Sequence, residues 1–178
     1  MTSYGAKDLA GAFRTVRKNT IQVAEDIPES RYGFVAAPDV RTVARMLTHV
    51  AIAPRIWEEV HKKRLTTLVG FDFFGMMDRF NAEEAKTRSK LEILDLLRTE
   101  GELFAAWMET LTPEILAETI TEPDGKTQKT RFERLLGAKE HEMHHRAQLM
   151  LIERQLGIVP HLTRLFNDRV AQMRAARA

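Results

Sequence analysis

The stretch TRFERLLGAKEHEMHHRAQLMLIERQLGIVP, Thr130 to Pro160, carries the clearest punctuation in this sequence. It opens on Thr130-Arg131-Phe132-Glu133, a capping box in which the threonine hydroxyl and the glutamate carboxylate each take an orphan backbone N–H of a helix start. It closes on Gly157 and Pro160, residues that end helices. At about 100° per residue, His141, His145, Gln148 and Ile152 cluster within about 60° of one another. Lys139, Glu142, Arg146 and Glu153 fall into a stripe on the opposite side. A long helix with its imidazoles facing inward is expected.

Outward from that helix, apolar residues keep recurring at steps of three and four, and the alternation of period two that marks strands is missing. The spacing predicts a first helix from about Ala6 to Ile27, stopped by Pro28. Asp39 is placed to cap a second helix carrying Val40, Val43, Met46, Leu47 and Val50, kinked at Pro54 and resuming through Trp57 and Val60. Leu65 to Ala85, with Gly70 and Gly75 around Phe71, Phe73 and Phe74, is expected to be a long connection packed by its aromatics. Ser89-Lys90-Leu91-Glu92 is a further capping box, opening a third helix that runs to Leu111. Thr112-Pro113-Glu114 starts a helical turn, Pro123-Asp124-Gly125 forms a turn, and Leu162, Leu165, Phe166 and Val170 belong to a C-terminal helix that frays over residues 175–178. The expected fold is therefore all-α, a four-helix bundle with a long crossover connection and a short extra C-terminal helix.

The chain has 178 residues, 44% hydrophobic and 29% charged, which favours a single globular domain over residues 1–178. No apolar run approaches the ~20 residues that cross a bilayer, and Met1-Thr2-Ser3-Tyr4 opens no signal segment, so a cytoplasmic location is expected. A net charge of +2 and the absence of groove-reading motifs argue against a nucleic-acid partner. His61-Lys62-Lys63-Arg64, the densest basic cluster, reads as a solvated helix end.

Cysteine is absent, so a transition metal must be held by histidine or carboxylate. His141 and His145 stand one turn apart, a separation at which two imidazoles can bind one ion. Several inward imidazoles without a metal would each need a separate partner. A further ligand must come from elsewhere: His49, His61, His161, His144, Glu25 and Asp168 are the candidates. His49 lies on the flank of its helix, where periodicity does not decide it. His61 and His161 read as surface groups, and His144 and Gln148 are better placed to touch a ligand or a substrate. His141-Glu142-Met143-His144-His145 also satisfies the protease pattern H-E-x-x-H. The Gly and third His of its extended form are missing, and Glu142 in register with Arg146 suits a solvent-facing ion pair.

Glu140 to Leu149, followed by Arg154-Gln155-Leu156-Gly157-Ile158-Val159-Pro160, resembles the signature of the DinB-like family of metal-dependent bundles (DinB/YfiT type). Val40 to Val50 resembles the helix that supplies that family's first ligand. Ala147, where the family often has Gly, and Pro54 inside the second helix are departures that touch no ligand. The resemblance implies a homodimeric four-helix bundle whose metal ligands are His49, His141 and His145, with nickel or zinc as the ion. It also implies thiol-dependent transferase chemistry, in which a low-molecular-weight thiol attacks an electrophile. A metal-dependent hydrolase and a non-catalytic metal-binding stress or interaction protein are the alternatives. No catalytic residue is assigned.

Overall fold

A computed structural model describes residues 4–177; the start of the chain and the last residue of the expected fraying end lie outside the described residues. Among the described residues eight α-helices follow in order: α1 (Ala6–Asp26), α2 (Val43–Ile52), α3 (Pro54–Lys62), α4 (Phe73–Glu84), α5 (Lys90–Glu109), α6 (Pro113–Ala117), α7 (Arg131–Gln155) and α8 (His161–Ala175). Helices α1, α2 with α3, α5 and α7 form the bundle, and α4 lies on the crossover beside α2. The fold is all-α, as expected. No helix among the described residues is long and apolar enough to cross a membrane.

Local signals set most of the boundaries. Thr130 and Ser89 accept from the amides of Glu133 and Glu92, and both reciprocal carboxylate contacts form. At the end of α7, Gly157 takes a φ of 79°, which a side chain would oppose, and Ile158 N–H reaches Glu153 O at 2.8 Å. Pro54 ends α2 at Ile52 and opens α3, so the expected kink is a break between two helices.

Three expectations are corrected here. Asp39 is not the cap of α2: it takes a φ of 60° outside the helix, Val40 is exposed, and Thr42 accepts from Arg45 N–H. The segment between Leu65 and Ala85 is not simply a connection. Asp72 accepts the amide of Gly75 at 2.9 Å and starts α4, while Phe73 and Phe74 face solvent. Strand pairing is present on a small scale, as Thr119–Thr121 (β1) pairs antiparallel with Gln128–Thr130 (β2) around the expected turn.

The core has three apolar clusters, two of them inside the bundle and a small third one of Val60, Leu68 and Ile120. Of the two in the bundle, Val23, Leu47, Ile93, Leu97, Leu149 and Ile152 belong to one, and Leu9, Phe13, Phe104, Met108, Leu135 and Ala138 to the other. On α1, α5 and α7 the residues between these sets form a polar layer. Arg17 crosses that layer from α1. Its Nε donates to both oxygens of Glu142 on α7 at 2.9 and 3.0 Å, and its terminal nitrogens donate to Leu97 O on α5 at 2.7 Å and Val50 O on α2 at 3.0 Å. One side chain thereby ties together the four bundle helices. Gly101 makes room for it, since a Cβ there would stand 2.8 Å from Arg17 Cγ.

Candidate metal centre

The polar layer also contains the histidines. His49 from α2 meets His141 and His145 from α7, and one ligand atom of each lies within 4.8 Å of the other two. His49, which periodicity left on a flank, is 6% exposed and His145 9%. Their rings pack edge to face with centroids 4.8 Å apart, and the Nε2 atoms of His49 and His141 approach to 3.0 Å. Helix α3 supplies the wall behind His141: the Trp57 ring lies 5.6 Å from it, held by an N–H bond to Arg134 O at 2.9 Å.

Two of the three rings are oriented by hydrogen bonds from outside the triad. Glu84, at the end of α4, accepts His49 Nδ1–H at 2.5 Å and Arg41 Nε–H at 2.8 Å. Burial works to raise the Glu84 pKa, but the bonds from His49 and Arg41 outweigh it and hold the carboxyl at about 2. An ionised Glu84 accepts only, so His49 Nδ1 is the donor in this contact and Nε2 is the atom turned to His141. Gln148 Oε1 contacts His145 Nδ1 at 2.8 Å, and its amide nitrogen contacts His144 Nε2 at 3.2 Å. Burial is the main reason that His141 is lowered to about 3 and His145 to about 4; the neighbouring cationic groups add to it, and the Gln148 bond opposes it at His145. At neutral pH these two rings are neutral and their lone pairs are available to an ion.

The donor set fits a borderline-soft divalent ion: three imidazole nitrogens, converging, with oriented rings. His141 Nδ1 is buried without a hydrogen-bond partner. His144 and Gln148 are exposed at the edge of this arrangement. Neither Glu25 nor Asp168 joins the group.

Four placements differ from expectation. Glu142 is not solvent-facing and does not pair with Arg146; it is 2% exposed and bound to Arg17. Glu153, from the same charged stripe, is fully buried. His61 and His161 are buried as well, His61 against Arg131 and His161 beside Asn19. For Glu142 and Glu153 the reason is that α7 is covered on two sides, by α1 and by α2 with α3, so a stripe opposite the histidines still meets protein. Sequence reasoning missed Glu84. The faint signal for it was the Asp72 cap followed by Met76, Phe80 and Glu84 at steps of four.

The sequence pattern of the DinB superfamily matches residues 12–149 of this chain. The uncharacterized protein YjoA of Bacillus subtilis (strain 168) is 24% identical over 153 residues, 85% of this chain and 91% of YjoA. Its crystal structure superposes with a TM-score of 0.62 at 22% identity, covering 84% of this chain and 91% of that one. YfiT of Bacillus subtilis, described as a probable metal-dependent hydrolase with an unusual four-helix bundle topology, gives 0.68 at 18% identity, covering 89% and 91%. An uncharacterized protein of Clostridium difficile 630 gives 0.64 at 14% identity, covering 86% and 98%. At these identities the structures share a fold with this chain.

Proposed function

This chain belongs to the DinB superfamily, and we propose that it is a metal-dependent transferase. In this reading it holds one divalent ion, nickel or zinc, on His49, His141 and His145 and activates a low-molecular-weight thiol for attack on an electrophile. The observation that carries the metal reading is the convergence of the three imidazoles within 4.8 Å, drawn from two helices. Three neutral nitrogen ligands leave an ion its full charge and an open position, and such an ion lowers the pKa of a thiol or water that reaches it. The chain's own contribution is orientation. Glu84 holds the His49 ring, Gln148 holds His145, and Trp57 closes the side of His141.

A hydrolase acting through water is the second reading, favoured by the description of YfiT. The experiment has two stages. Elemental analysis of purified protein should find about one ion per chain, most of it lost in His49→Ala, His141→Ala and His145→Ala and kept in His161→Ala. Metal-loaded protein is then screened against electrophiles with several small thiols and, separately, against esters and amides without thiol. Thiol-dependent turnover supports the transferase; turnover in water alone supports the hydrolase. Undiminished metal in all three variants of the triad sinks both.

A further inference from the structure

A cavity of about 410 Å³ opens beside the triad, with His145, Gln148, Arg41, Arg45, Met46 and Asp39 in its lining. Its two arginines are not equivalent. Arg41 donates to both oxygens of Glu84, at 2.8 and 3.3 Å, and the same carboxylate also accepts from His49. One negative charge is thus already engaged by one guanidinium and one imidazole. The nearest Arg45 nitrogen stands 3.9 Å from Glu84, beyond hydrogen-bond reach. Among the described residues its guanidinium donates no hydrogen bond, although the side chain is only half exposed and lines the cavity.

The remaining lining adds little to balance this charge. Asp39 is the cavity's acidic residue; it sits exposed on the rim and makes no ion pair with Arg45. Met46 is apolar and 7% exposed, and Gln148 is neutral. Imidazoles cancel none of the charge of an ion they hold. A cation entering here meets Arg41, Arg45 and the metal position together, whereas an oxyanion finds five free N–H donors in a planar fork that matches a carboxylate or phosphate with two parallel bonds.

We propose that the substrate of this site carries a carboxylate or other oxyanion, bound by Arg45 in the cavity while the reacting atom lies on the His145 side. The proposal deepens the metal-centre reading and rests on it for the word substrate; the anion site itself does not require the metal. Arg45 is a binding residue here, chosen by its unsatisfied fork, and Arg41 is the residue that keeps Glu84 on His49.

The test is titration of zinc-loaded and of metal-free protein with propionate, propionamide and inorganic phosphate, followed by the ¹⁵N resonance of Arg45 Nε and by calorimetry. Propionate should bind at least about tenfold more tightly than propionamide, and Arg45→Gln should weaken it by about tenfold with an unchanged melting curve. Arg45→Lys should fall between, keeping charge but losing the fork. Phosphate binding that is lost in Arg45→Gln supports the site and favours a phosphate monoester over a carboxylic acid. Equal binding of propionate and propionamide, or anion binding indifferent to Arg45→Gln, overturns the proposal. If the protein takes up no zinc yet propionate still depends on Arg45, the metal reading fails and the anion site stands.

Discussion

Glu142 and Glu84 are both buried carboxylates at the level of the histidine triad, and both are paired with an arginine, yet they serve different parts of the molecule. Glu142 stands on α7 next to His141, but its oxygens face away from the triad to Arg17, whose other nitrogens reach α2 and α5. Glu84 stands on the crossover helix and touches the His49 ring itself. Adjacency in sequence and adjacency in function separate once helices pack: Glu142 holds the bundle together, and Glu84, 35 positions from His49, holds the imidazole.

The largest effect is expected at the Arg17–Glu142 pair. Glu142→Ala leaves a buried guanidinium without its counter-ion, and urea unfolding should show a loss of about 3–5 kcal/mol. Metal content per folded molecule should stay near that of the unaltered protein, because no ring loses its partner. If the variant kept full stability but lost the metal, the assignment of the two glutamates would have to be exchanged.

A third buried carboxylate sharpens the contrast, since both oxygens of Glu153 lack any partner. Burial raises its pKa, with help from the Asp26 charge, from 4.5 to about 7. The folded state therefore binds more protons than the unfolded chain between these two values. The stability this contributes is complete below pH 4.5 and is lost as pH rises through about 7. Glu153→Met should accordingly stabilise the protein by about 2–3 kcal/mol at pH 8, and the gain should close as pH falls below 4.5. Thermal melts across that range check the sign; a gain independent of pH would mean that packing alone explains it.

Glu84→Gln tests the other half of the comparison. The amide is nearly isosteric but is a poorer acceptor for His49 Nδ1–H, and removal of such a partner lowers metal affinity by about 10–100-fold. Competition against a chromophoric chelator measures this. Matching affinities for Glu84→Gln and the unaltered protein would remove Glu84 from the site. The smallest effect is expected on the exposed α3 surface, where Lys62 meets Glu58 at 2.7 Å. Glu58→Gln should shift stability by less than about 0.5 kcal/mol, which is the baseline for the larger numbers.

The legible parts of this protein are those whose causes are local. Thr130, Ser89 and Gly157 act within one turn of a helix, so their boundaries follow from neighbours in sequence. His141 and His145 are one turn apart on one helix and could be picked out in the same way. Helix α4 was harder to see because Met76 and Glu84 are its buried residues, too few to make a stripe. His49 was undecidable from periodicity because its neighbours Thr48, Val50 and Ala51 are all buried as well, leaving no single inward face to compare with.

By itself the sequence determined the long helices α1, α5 and α7, the capping boxes at Ser89 and Thr130, the all-α class and the two histidines one turn apart that any metal reading must start from. Only the tertiary structure decided which charges are inside. An isolated helix can be divided into an apolar and a polar face, but α7 is packed on two sides, so its polar face is also interior. A charge there is tolerable only because a partner arrives from far along the chain, as Arg17 does for Glu142 across 125 positions. The placement of His49 and Glu84 beside α7 has the same origin. Helical periodicity describes where a side chain points relative to its own axis, and what it meets there depends on which helices surround it.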